Sequence, residues 1–365
     1  MSHYEGLARG IEPDPKGLID NVLRKGTPRR CHHIELFHDG EVRDAIAERF
    51  ELMKGVPRDD PGYERRKLIA VSRFCGFDFV RVGVVGMDFQ LHKARTDDTA
   101  SLGRAGGRTY QDEHTGPIMT WEDFDRYPWP DPHAPEATRE LEWFQEHLPE
   151  DMCIIGSGGF AHFAEFLTWL MGYETLCYAL HDDRELVAAI ADRLTEHFRV
   201  ILGRMLQFDR VKVLWGSDDM GFRTGLLISP DDTREFILPG HKLMAGMSHA
   251  AGRPYLLHAC GNLGDIIDDL IDDVGIDAKH SFEDTIEDVR EVKHTYGRRI
   301  ALLGGIDVDF LCRSDEAAIR RRVRQTLDAC LPGGGYCLGT GNSVANYVPL
   351  EHYLAMVDEG MLYST

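Results

Sequence analysis

Nowhere in the 365 residues is there an uninterrupted apolar run long enough to cross a bilayer, so a helical membrane protein is excluded. Basic residues are scarce: 41 Lys and Arg face 61 Asp and Glu, a net charge of −20. Nucleic acid and anionic membranes both demand basic surface, so neither is an expected partner. The eight cysteines are irregularly spaced with no C-x-x-C pair, which is not the pattern of a disulfide scaffold. The first residues, Met1 to Glu5, lack a basic stretch followed by an apolar one, so no export signal is read and a cytoplasmic location with reduced thiols is expected. No low-complexity tract and no composition shift divides the chain, and residues 1–365 are read as a single domain.

What is present is a repeating strand-helix pattern. A polar arm with Pro13, Pro15, Gly17 and Pro28 includes one helix, about Lys16 to Arg24. Short apolar runs then start near residues 31, 78, 153, 211, 255, 276, 300 and 336, each followed by at least one helical stretch. Eight such units predict an α/β fold, a (β/α)8 TIM barrel over residues 30–360. A doubly wound open sheet is the alternative, which eight units over this length disfavour. The pattern breaks between Met87 and Glu150, after the second strand. That stretch holds an Arg/Gly-rich piece, a hairpin candidate and the turn Tyr127-Pro128-Trp129-Pro130. An excursion of this length is expected to be an insertion or lid over the binding face.

The chain's most informative stretch is Tyr255-Leu256-Leu257-His258-Ala259-Cys260-Gly261-Asn262. Two-residue spacing on an extended chain sets His258 and Cys260 on one face at a strand's carboxyl end. Cys337, in Gly333-Gly334-Gly335-Tyr336-Cys337-Leu338-Gly339, offers a second thiol on another glycine-bounded strand. A histidine and two thiolates suit zinc and leave one position for a reacting molecule. The expected metal ligands and catalytic residues are therefore His258, Cys260 and Cys337. The bland alternatives are a small apolar residue in a barrel strand for Cys337 and a satisfied structural histidine for His258. Cys31, Cys75, Cys153, Cys177, Cys312 and Cys330 have no partner histidine at ligand spacing and read as packing residues.

The other polar residues at predicted strand ends are candidates for substrate contact: Glu35 and His38 after the first strand, Asp218 and Asp219 after the fourth, His280 closing the sixth, Asp307 after the seventh and Asn342 after the eighth. Each has a plainer reading. Asp218 and Asp219 equally suit a helix cap, and His280 and Asp307 equally suit a role orienting other groups. A fourth metal ligand could come from Glu165, Asp218 or Asp219, although Glu165 also reads as an ordinary helix glutamate.

Several blocks together resemble the uroporphyrinogen decarboxylase superfamily: Gly216-Ser217-Asp218-Asp219-Met220-Gly221, Gly225 to Pro230, Leu257 to Asn262, Gly304-Gly305-Ile306-Asp307 and Pro332 to Tyr336. They fall in the family's order over roughly residues 150 to 360. The resemblance implies a (β/α)8 barrel and one of two chemistries. One branch decarboxylates a tetrapyrrole without a cofactor, gripping its carboxylates with an arginine-rich loop. This chain has His38-Asp39-Gly40-Glu41-Val42 there, which would repel such a substrate. The other branch, the corrinoid-dependent methyltransferases, holds zinc with His-x-Cys and a distant Cys. That branch implies a zinc-dependent methyltransferase moving a methyl group between a corrinoid (cobalamin) and a small thiol or another donor or acceptor. No D-x-H-x-x-G cobalamin-binding stretch is evident, so the corrinoid is expected on a separate protein. A metal-free decarboxylase and a non-catalytic corrinoid or tetrapyrrole carrier are the competing readings. The oligomeric state stays open, a homodimer included.

Overall fold

Apolar, β-branched segments build one parallel sheet, and polar helix-capping residues end the connections between its strands. The computed structural model describes residues 4–363 except 87, 105 and 113. Its strands in chain order are β1 (Phe79–Val82), the hairpin β2 (Lys93–Thr96) and β3 (Arg108–Gln111), β4 (Cys153–Gly156), β5 (Val211–Ser217), the short hairpin β6 (Gly221–Phe222) and β7 (Gly225–Leu226), β8 (Tyr255–His258), β9 (Ala278–His280), β10 (Ala301–Leu303) and β11 (Tyr336–Cys337). Seven of these form the parallel sheet in the order β1-β4-β5-β8-β9-β10-β11. The chain thus has an α/β fold with a curled parallel sheet. Every neighbouring pair in that order is consecutive along the chain once the two hairpins are set aside, as helical crossovers between parallel strands require.

The expected first strand differs. Residues 32–38 are not a continuous strand but touch the sheet through isolated parallel bridges, His33 to Leu338 and His38 to Val344. The backbone bonds of this segment, such as Ile34 N–H to Leu338 C=O at 2.8 Å, go to the chain around and beyond β11. Among the described residues none crosses to β1. The reason lies in its side chains: Glu35 and His38 turn to Thr340 and Tyr353, which commits the segment to one neighbour.

The sheet's interior is apolar and close-packed. Phe79, Trp215, Tyr255, Tyr336 and Tyr353 are all nearly or fully buried. Caps fix the helix starts: Asp14 accepts from Gly17 N–H in helix Pro15–Val22, Asp183 from Leu186 N–H in helix Arg184–Met205, and Ser229 from Asp232 N–H in helix Pro230–Phe236. The arm is more ordered than expected. An added helix, Glu5–Arg9, rests on helix Leu350–Leu362, where buried Asp358 accepts from Gly6 N–H (2.7 Å) and Leu7 N–H (3.1 Å). In the long excursion the hairpin candidate is β2–β3; Met87, where the excursion begins, lies outside the described residues. Among the described residues no helix is long and apolar enough to cross a membrane.

Candidate metal centre

His258 ends β8, and its neighbours in register are Ser217 on β5 and His280 on β9. Two residues past Ser217 the chain reaches Asp219, and two past His258 it reaches Cys260. Asp219, His258 and Cys260 each point one ligand atom into a common space, all within 4.8 Å of one another. His258 Nε2 lies 3.3 Å from Asp219 Oδ1 and 3.4 Å from Cys260 Sγ. A tetrahedral zinc ion at ordinary Zn–N, Zn–S and Zn–O lengths sets such ligand atoms about 3.3–3.6 Å apart. The donor set therefore fits zinc in both chemistry and spacing.

The surroundings fix which edge of His258 faces this space. His280 is fully buried, and burial pushes its imidazole well below the ordinary range, so it is neutral. Its Nε2 donates to Thr340 C=O at 3.2 Å, which leaves Nδ1 as an acceptor. His258 Nδ1–H must then be the donor across the 2.7 Å contact between the two Nδ1 atoms. The Nε2 edge of His258 is thereby aimed at Asp219 and Cys260, where a proton or a metal ion bridges it to the carboxylate. Replacing His280 with Phe removes the acceptor and is expected to weaken zinc binding about 10- to 100-fold, measured by competition with a chelator. Unchanged affinity would show that the relay does not orient His258.

Asp219 and Cys260 are tied to each other as well. Cys260 N–H donates to Asp219 Oδ1 at 2.9 Å. Burial works to raise the Asp219 carboxyl, but the bonds from His258 and Cys260 outweigh it and hold the group well below the carboxylate range. Burial and the neighbouring Asp219 push the Cys260 thiol up, so a metal ion must displace a proton there. Asn342 Nδ2 donates to Cys260 Sγ at 3.3 Å, and Ser281 Oγ lies 3.8 Å from it. The turn after Cys260 requires glycine: Gly261 has φ +93°, and a Cβ there would lie 2.2 Å from the backbone of Gly221 in the β6–β7 hairpin.

Cys337 is a correction. It is fully buried, and its sulfur accepts from Asn21 Nδ2 at 3.4 Å, not from anything in the cluster. Asn21, on helix Pro15–Val22, also binds Gly335 N–H and Tyr336 C=O, the start of β11. Cys337 is thus held against helix Pro15–Val22, and the residue of this segment that reaches Cys260 is Asn342, five positions later.

The remaining candidates separate into distinct roles. Asp218 is fully buried and accepts from Ala164 N–H (2.9 Å), Glu165 N–H (3.0 Å) and His241 Nε2 (2.9 Å). Its carboxylate anchors the start of helix Phe163–Met171 and has no face left for substrate. Glu165 pairs with His162 at that helix start and stands outside the ligand group. Asp307 caps helix Val308–Arg313 through Phe310 N–H and also accepts from Asp284 N–H. Its neighbourhood and Asn342 line one groove of about 830 Å³. His38 bonds Tyr353 Oη at 2.7 Å and stacks on Phe77. Of the six cysteines read as packing, Cys31, Cys75, Cys153 and Cys330 are buried, Cys312 is partly so, and Cys177 is exposed.

Glu35 supports the site from below. Its Oε1 accepts from Thr340 N–H at 3.0 Å, and its Oε2 lies 2.5 Å from Thr340 Oγ1, which also lies 2.5 Å from Asn342 C=O. The hydroxyl has one proton for two neighbours. The carbonyl can bring none, so the Glu35 carboxyl must bring its own. Burial, opposed by the two Thr340 bonds, accordingly raises Glu35 from 4.5 to about 8. The folded state then holds a proton that the unfolded chain releases, so this contribution to stability is complete below about pH 4.5 and is lost as pH rises through about 8. Glu35→Gln reproduces the protonated group. Unfolding titrations should give equal stability near pH 4.5 and a variant more stable by about 3 kcal/mol or more at pH 8; parallel pH profiles would contradict this.

Neither Ser281 nor the tautomer relay is legible in the sequence, because each depends on a contact between strands. The adjacency of His258 and His280 had one available signal, their equal positions at the ends of consecutive strands.

The profile of the uroporphyrinogen decarboxylase (URO-D) family matches residues 112–360. A methylated-thiol–coenzyme M methyltransferase of Methanosarcina mazei is 29% identical over 189 residues, covering 52% of this chain and 48% of that protein. The chain therefore spans about half the length of that curated relative. A solved methyltransferase structure from Methanosarcina mazei matches with a TM-score of 0.66 at 19% identity, covering 94% of this chain and 97% of the other, a likeness of fold. With a match over residues 112–360, more than half its length, the chain belongs to the uroporphyrinogen decarboxylase (URO-D) family.

Proposed function

We propose that the protein is a zinc-dependent methyltransferase that moves a methyl group between a corrinoid on a separate protein and a small thiol. The observation that carries this reading is the convergence of Asp219 Oδ1, His258 Nε2 and Cys260 Sγ, a carboxylate, an imidazole and a thiol of the kinds that bind zinc, with room for a fourth ligand. The methyltransferase relative from Methanosarcina mazei supports it by its name. Zinc held there supplies a Lewis acid that binds the substrate sulfur and makes the thiolate available at neutral pH.

The protein's own residues do the rest. His280 keeps His258 Nε2 turned inward, and Asn342 donates to Cys260 Sγ. The thiol proton leaves to solvent as the metal takes the thiolate. Asn342 also walls the groove of about 830 Å³ with Phe282, Asp307 and Tyr347, and that groove receives the methyl carrier. In this reading the curled sheet and residues 32–38 together make a (β/α)8 barrel, with the excursion between residues 87 and 150 as its lid.

The test is methyl transfer between methylcobalamin and a panel of small thiols, followed by the corrinoid's visible spectrum. Turnover is expected to vanish on chelation and return with zinc. Turnover indifferent to chelation would overturn the metal's role. The decarboxylase name of the family profile favours a second reading, metal-free decarboxylation, which predicts carbon dioxide release from a carboxylated substrate by protein with no bound metal.

A further inference from the structure

A second feature lies where the sheet fails to close. Between residues 35–38 and β1 is a cavity of about 250 Å³ that none of the groups above fills. Two guanidiniums line it, Arg81 from β1 and Arg43 from helix Gly40–Arg49. Arg81 points into the sheet's interior, with its guanidinium 4.5 Å from the centre of the Trp215 ring. Among the described residues its one hydrogen bond runs from Nε to Ser157 Oγ at 3.2 Å. Arg43 Nε is buried with no acceptor. Among the described residues neither guanidinium has a carboxylate within ion-pair distance, although the chain carries 61 acidic groups and pairs most of its arginines. Glu35 lines the same cavity but is turned to Thr340, so it does not serve as their counter-ion.

A half-buried guanidinium with no carboxylate beside it is suited to take its counter-charge from a ligand. Its planar fork matches a carboxylate or a similar oxyanion. The other walls are apolar, chiefly Leu68, Phe77 and Phe79. The volume falls below the roughly 300–1,000 Å³ of pockets that take drug-sized ligands. We propose that this cavity is a binding site for a small organic acid, with the anionic head on Arg81 and Arg43 and an apolar body against Leu68, Phe77 and Phe79. Its position matters for the centre described above, since Trp215, under the Arg81 guanidinium, packs edge-on against His280 at 5.6 Å. The acid site itself does not rest on the methyltransferase reading.

Calorimetric titration of the purified full chain with benzoate, benzenesulfonate, benzyl alcohol and inorganic phosphate tests this. Saturable binding of benzoate or benzenesulfonate is expected, and the tighter of the two identifies the head group. Benzyl alcohol and phosphate, which lack the charge and the apolar body respectively, should bind at least tenfold more weakly. Arg81→Gln and Arg43→Gln should each weaken the acid at least tenfold, while zinc content stays as in the wild type. Arg43 lies on an outer helix, so its variant remains informative if Arg81→Gln does not fold. The proposal is overturned if neither acid binds, if the alcohol or phosphate binds as tightly, or if Arg43→Gln binds the acid unchanged. Wild-type protein that binds the acid but holds no zinc would count against the metal centre and not against this site.

Discussion

Purified wild-type protein is expected to carry about one zinc ion per chain, which Cys260→Ala and His258→Ala lose and Cys337→Ala keeps. Removing a ligand deletes a third of the protein's donor set, and the loss in affinity should exceed the roughly 10- to 100-fold typical of groups that only orient ligands. Cys337→Ala instead opens a small hole beside Asn21 in a fully buried position. Its expected cost is about 1–2 kcal/mol of stability with metal content unchanged. The measurement is metal analysis after gel filtration, paired with denaturant unfolding. Zinc lost from Cys337→Ala in a folded protein would mean that the strand bearing Cys337 moves into the site. Zinc retained by Cys260→Ala would end the assignment of the centre.

Substituting Asp218 should do the most damage to folding. Three donors converge on its buried carboxylate: two N–H groups at the start of helix Phe163–Met171 and His241 Nε2. Asp218→Ala leaves all of them without an acceptor in a site from which water is excluded. Breaking a buried, hydrogen-bonded charge of this kind costs about 3–5 kcal/mol, a large part of the stability of a typical domain. A melting temperature within a degree or two of the wild type would contradict the role assigned to Asp218. Asp219→Ala is the control. Its carboxylate faces the open site and accepts a single backbone bond, from Cys260 N–H, so the variant should lose zinc while staying folded.

These two adjacent aspartates show where reading the chain reaches its limit. Alternation along an extended segment says that Asp218 and Asp219 face opposite ways, but not which faces the sheet's interior and which the opening. Asp218, which reads equally as a substrate group, a helix cap or a metal ligand, fastens a helix start, whereas Asp219 joins His258 and Cys260. The same limit applies to β11. A glycine-bounded run with a cysteine looked like a match for the His-x-Cys strand, yet height along a strand cannot be read from residue type. The structure sets Cys337 against Asn21 and brings Asn342 to the Cys260 sulfur.

The amino-acid sequence by itself determined the alternation of strands and helices, the seven strands of the parallel sheet, and the shared face of His258 and Cys260. All of these follow from local spacing, apolar period and turn chemistry. Only the tertiary structure decided that residues 32–38 pair on one side alone, leaving a cavity with two arginines that have no carboxylate partner among the described residues, that Asp219 completes the cluster, and that His280 orients His258. Those outcomes depend on register and strand tilt between segments distant in the chain, quantities set by packing that no single segment encodes.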